Sequence, residues 1–137
     1  MPNHVWRAFC AACLLCGCAH RVDVARERQA LMDADARFAR ETAERGVEAW
    51  VSWFAEDGAM YPVRIDPVQG HAAIGELMSD LYDPRTGRGA LRLEWRPTRA
   101  EVSASGELGW TTGVSRAVTA EGERRGRLIT RLPRDGL

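Results

Sequence analysis

The apolar period of this chain changes once, and that change fixes its architecture. Up to Tyr82 apolar residues recur at helical spacing, and after Gly89 they alternate. From Gln29 onward Leu31, Asp35, Phe38 and Thr42 share one helical face, with Arg28, Arg37, Arg40, Glu41 and Glu44 elsewhere, until Gly46 breaks the run. A second helix is expected across "GVEAWVSWFAEDG", where Val47, Trp50, Val51 and Phe54 form the stripe, Trp53 lies off it and Gly58 is the stop. Residues 59–62 suit a short strand, and 63–69 a loop punctuated by Pro62 and Pro67. A third helix fits "HAAIGELMSDLY", with Ile74, Leu77, Met78 and Leu81 on one face, ended by Pro84 and Gly87.

Beyond Gly89, Leu91, Leu93 and Trp95 alternate with Arg92, Glu94 and Arg96, the pattern of a half-buried strand that continues over 98–104 after an irregularity at Pro97. Ser105-Gly106-Glu107 turns the chain into a strand over 108–119, residues 120–123 turn it again, and 124–132 is the last strand. On the middle strand Leu108, Trp110, Thr112, Val114 and Val118 occupy one side, and Gly109, Thr111, Gly113, Ser115 and Ala117 the other. Trp95, Trp110 and Thr112 are placed on one side of adjacent strands, where they line or fill a cavity. Three helices followed by long antiparallel strands make an α+β plan, with helices covering one face of a curved sheet. Interior glycines suit that curvature.

All four cysteines fall in "FCAACLLCGC", residues 9–18. Their spacing lacks the last gap and the proline of the common iron–sulfur run, and no second CxxC follows to close a zinc site. The stretch is apolar from Ala8 to Ala19 behind a single Arg7, the layout of an export signal. A helix of that length rises about 15–18 Å, short of the ~30 Å hydrocarbon core. Leu15-Cys16-Gly17-Cys18 resembles the bacterial lipobox, which implies a signal peptide over 1–17, acylation of Cys18 and a tether over 18–28. Ala19 then fits an outer-membrane address on the periplasmic face. The remainder, 29–137, is enough for one domain. Nineteen basic residues balance nineteen acidic ones, all nineteen bases are arginine, and no field favours nucleic acid.

The segments "FARETAERGVEAWVSWFAEDGAMYPV", "VQGHAAIGELM", "LRLEWRPTRAEVSASGELGWTTGVSRA" and "GRLITRLPRDG" resemble the SnoaL-like branch of the nuclear-transport-factor-2-like superfamily, near the group called domain of unknown function 4440. The resemblance spans about residues 29 to 136. It implies a cone-shaped fold with an apolar pocket open at one end, often dimerising through the sheet, in a superfamily that includes ketosteroid isomerases, polyketide cyclases and dehydratases. Fold does not fix function there. The isomerase chemistry needs a carboxylate base, a tyrosine and a protonated acid in a dry cavity. The positions that the resemblance matches hold Tyr61, a residue at or near Phe38 and no acid in "RRGRLITRL", so all three roles are unfilled and that reaction is not expected. No nucleophile elbow, phosphate loop, dinucleotide fingerprint or zinc-protease motif occurs.

The polar candidates are few. Asp35 lies on the core stripe, either as a pocket acid with a raised pKa or bonded to a tryptophan indole N–H or an arginine. Asp57 is a second candidate acid, or a structural residue closing helix two. Phe38, Trp53, Tyr61, Trp95, Trp110, Thr112 and Arg127 are the candidate ligand contacts, with Arg131 beside Arg127 and His71 opening helix three. No cofactor or metal is implied. The reading is a lipid-anchored domain binding a small apolar or amphipathic molecule, catalysis undecided, with a possible homodimer. The alternatives are an interaction module whose pocket is filled by its own tryptophans, or a cyclase- or dehydratase-type enzyme using Asp35 or Asp57. Relatives of the resembled group continue past "GRLIT" into one more strand, whereas this chain stops at Asp135-Gly136-Leu137, so a missing final strand is expected.

Overall fold

A computed structural model of the chain describes residues 22–62, 64–82, 92–119 and 122–133. Cys18, Gly87 and the Asp135-Gly136 turn lie outside these. The first helix, α1, runs Val24–Arg45. It starts inside the expected tether because the Asp23 side chain accepts a hydrogen bond from the Arg26 backbone N–H and caps it. Gly46, at φ 67°, ends it and donates its N–H to the Thr42 carbonyl.

The second helix, α2, covers only Val47–Ser52. The chain turns at Trp53 rather than continuing to Gly58, and this lets Trp53 fold back on α1. Two short strands, β1 (Ala59–Met60) and β2 (Val68–Gln69), pair antiparallel, so the expected loop over 63–69 ends in a strand. The third helix, α3, spans Gly70–Tyr82 and buries Ile74 and Met78.

Three long strands follow: β3 (Arg92–Val102), β4 (Leu108–Thr119) and β5 (Gly122–Pro133), in the order β3-β4-β5, all antiparallel. The irregularity expected at Pro97 is a register shift between Pro97 and Arg99, and such a bulge adds twist and bend. The α+β plan of N-terminal helices on a curved antiparallel sheet is the plan the chain adopts.

The face of β4 that meets α1 is the one lined by small residues. Gly109, Thr111 and Gly113 are buried, while Leu108, Trp110 and Val114 are exposed. A Cβ on Gly109 would stand 2.5 Å from Leu31 Cδ1, and one on Gly113 2.5 Å from the Arg96 carbonyl oxygen. At Gly109 it is the closeness of α1 that leaves room only for hydrogen, and at Gly113 it is the β3 backbone at the Pro97 irregularity. Leu31, Ala34 and Ala100 fill one end of the interface, and Phe38, Trp50, Ile74, Met78 and Trp95 the other.

Gly109→Ala is expected to destabilise by about 1–2 kcal/mol, because the Leu31 side chain can yield. Gly113→Ala is expected to cost about 2–3 kcal/mol, since its clash is with backbone. Chemical denaturation of the two variants checks the order.

Candidate functional site

Among the described residues, one carboxylate from α1 is buried against the inner side of the sheet. Asp35 is 1% exposed and is bonded to all three long strands. Its Oδ1 accepts from Trp95 Nε1 on β3 at 2.9 Å and, at a weaker 3.4 Å, from Thr130 Oγ1 on β5. Its Oδ2 accepts from Thr111 Oγ1 on β4 at 2.6 Å. Of the two readings of Asp35, the indole partner is the one present. Hydrogen bonds to an ionised acceptor are worth about 1.5–3 kcal/mol each. The carboxylate therefore works as a rivet joining α1 to the sheet.

Beside it stands an aromatic cluster. The Phe38 ring lies 5.0 Å from Trp50, 5.2 Å from Trp53 and 4.9 Å from Trp95, and Trp50 is 5.5 Å from Trp95. Edge and tilted pairs of this kind add roughly 0.5–1.5 kcal/mol beyond burial. Trp53 donates its indole N–H to Glu41 Oε2 at 2.9 Å and lies under the Arg37 guanidinium, whose carbon is 5.0 Å from the ring. Trp53 thus has every partner it needs on α1.

Two polar atoms in this region have no partner among the described residues, Trp50 Nε1 and Thr42 Oγ1. Both residues are buried at the corner where α1 meets α2. An unpaired buried donor costs about 1–3 kcal/mol and is rare in native proteins. The sequence reading placed Thr42 and Trp50 on core stripes without seeing this. The available signal was that a hydroxyl and an indole N–H both pointed into an apolar interior.

Several expected contacts fall elsewhere. Trp110 and Thr112 are on the outer face of the sheet, opposite Trp95, because close packing of α1 selects the glycine-bearing side of β4 as the inner one. Arg127 and Arg131 share that outer face. Tyr61 is 77% exposed just beyond β1 and does not enter the interior. Asp57 is exposed, and its backbone carbonyl accepts from Gln69 Nε2, tying the β1–β2 pair. His71 bonds through Nε2 to the Phe54 carbonyl at 2.8 Å. Phe38, Trp53 and Trp95 are brought together as expected. Among the described residues no cluster of three histidine, cysteine, aspartate or glutamate side chains could hold a metal ion.

Helices laid across one face of a curved antiparallel sheet, closing on an aromatic interior, define the nuclear-transport-factor-2-like fold. Solved structures share it. An LEH-like epoxide hydrolase from Mycobacterium tuberculosis superposes with TM-score 0.58 at 13% identity, covering 80% of this chain and 77% of that one. RV0760c from the same organism, solved with estradiol-17beta-hemisuccinate, gives 0.53 at 21% identity over 80% and 88%. A ketosteroid isomerase-like protein from Erwinia carotovora gives 0.52 at 10% over 74% and 77%. No family model and no curated protein matches the chain by sequence. At these identities the likeness is one of fold.

Asp35→Ala is expected to lower stability by about 3–5 kcal/mol, since it strands the Trp95 and Thr111 donors in a dry interior. Asp35→Asn should cost only about 1–2 kcal/mol, because its amide oxygen keeps the indole bond and the Thr111 hydroxyl can turn to accept. Urea unfolding of both variants measures the difference.

Proposed function

We propose that this chain is a lipid-anchored binding domain that holds a small, mainly apolar molecule bearing a hydrogen-bond acceptor. The observation that carries the reading is the pair of partnerless polar atoms, Trp50 Nε1 and Thr42 Oγ1, set in an interior of aromatic rings. An apolar surround with one or two polar anchors is the usual make-up of a small-molecule site. A ligand carbonyl or ether oxygen would satisfy the indole N–H, and the threonine hydroxyl can accept or donate. Steroid-bound RV0760c, of the same fold, is consistent with that ligand class.

Catalysis is not part of the proposal. Both oxygens of Asp35 are engaged by donors from the sheet, and Asp57 stands at the surface. The anchor is assigned to Cys18 from the uncharged stretch that ends in Leu15-Cys16-Gly17-Cys18. Two or more acyl chains would hold the protein firmly where one would be marginal. The chain is then an exported lipoprotein facing the periplasm, placed at the outer membrane by Ala19.

Titration of the protein with a neutral apolar ketone such as camphor should quench its tryptophan fluorescence to saturation. Trp50→Phe keeps an aromatic ring of smaller size but removes the donor, and it should weaken binding about fivefold to tenfold. Linear, unsaturable quenching unaffected by Trp50→Phe would contradict the reading. Labelled palmitate should enter the wild-type protein and be lost in Cys18→Ser.

A further inference from the structure

The outer face of the long sheet is both apolar and positively charged. Strand register places Arg92, Arg96, Arg99, Arg116, Arg125, Arg127 and Arg131 on it against Glu94, Glu101 and Glu123, seven positive charges to three negative. The glutamates are all used. Glu101 pairs with Arg99 and Arg28, Glu94 with Arg92 and Arg116, and Glu123 with Arg116 and Arg125. Hydrogen bonds from Arg99 and Arg28 hold the Glu101 carboxyl below its ordinary value, so it stays ionised and committed to them. Arg96, Arg127 and Arg131 face no carboxylate among the described residues. Between and beside them lie Trp110, Val114 and Ile129, the last 73% exposed.

The start of the described chain sits at one end of this face. Val22 packs on Gly106 in the β3–β4 turn, so closely that a Cβ there would stand 2.9 Å from Val22 Cγ1. Gly106 also has φ 75°, a second reason for glycine. Leu108 and Trp110 on β4 lie immediately beyond that turn, with Arg131 opposite Trp110. Three residues lie between Cys18 and Val22, so the two are at most about 14 Å apart along an extended chain. An acylated Cys18 therefore brings the bilayer surface within that distance of the turn.

We propose that the domain docks on the membrane through the turn end of this outer face, with Trp110 and Leu108 entering the interfacial layer and the unpaired arginines meeting anionic phospholipid headgroups. The inference rests on the lipid anchor proposed above. Tryptophan prefers the interfacial layer, arginine stems lie along apolar surface while their heads reach phosphate, and basic groups near an anionic leaflet are attracted to it. The short tether holds this end of the domain close to the membrane, so that weak attraction suffices. Exposed Glu107 in the turn and exposed Asp23 beside Val22 work against it, while Glu101 opposite Trp110 is neutralised by Arg99 and Arg28.

The test uses full-length lipidated protein reconstituted in vesicles containing brominated phosphatidylcholine, with or without phosphatidylglycerol. Tryptophan quenching should fall at least threefold in Trp110→Phe. It should fall at least twofold in Arg127→Glu/Arg131→Glu on vesicles containing phosphatidylglycerol, with melting temperatures unchanged. Quenching that does not depend on Trp110, in protein that carries palmitate, overturns the docking and leaves the anchor standing. A disulfide formed between copies of Ile129→Cys, without lipid quenching, would assign the face to a second copy of the chain instead. Failure of palmitate to enter at Cys18 removes the anchor and this inference with it.

Discussion

A carboxylate placed where only apolar groups belong governs how this domain is put together. Asp35 sits between Leu31 and Phe38 on the inward stripe of α1, and desolvating it there would be prohibitive without donors. The sheet supplies them one strand at a time: an indole N–H from β3, a hydroxyl from β4 and a more distant hydroxyl from β5. Each donor is directional, so the bonds fix the rotation of α1 about its axis and its height along the strands. Apolar packing alone would leave both softer.

The close approach that lets so short a side chain reach three strands has a second consequence. The helix can come that near only where the sheet offers glycine, which is why β4 turns Gly109 inward, with Gly113 on the same side against the β3 backbone. Its larger residues are left facing out. Alternation along β4 was plain in the sequence, yet it could not say which side was inner, because bulk argued for Leu108, Trp110 and Val114 and the helix contact argued for the glycines. The contact won. Strand boundaries and the Pro97 irregularity were legible because turn residues and period mark them locally. The end of α2 was not, since Trp53 leaves the helix for tertiary partners, Phe38 and Glu41, that no local signal announces.

The candidate site was legible in the same uneven way. Asp35 stood out as a misfit on an apolar stripe, and one of its two readings named an indole partner. Phe38, Trp53 and Trp95 share the interior as expected, while Tyr61, Trp110, Thr112 and Arg127 do not. Thr42 and Trp50 were visible as core residues, but whether a buried polar atom finds a partner depends on what the neighbouring element presents. That information exists only after packing. It is also what separates the two polar features of the interior: Asp35 has its donors and holds the domain together, whereas the buried Trp50 N–H lacks an acceptor among the described residues.

The most direct test of that distinction is the indole region of a nitrogen-15 spectrum recorded during titration with a neutral apolar ketone. The Trp50 Nε1–H resonance should move downfield and saturate as it gains an acceptor, while that of Trp95, already bonded to Asp35, stays near its free position. A titration in which Trp50 does not respond, or in which only the outer-face Trp110 moves, would contradict an interior binding site.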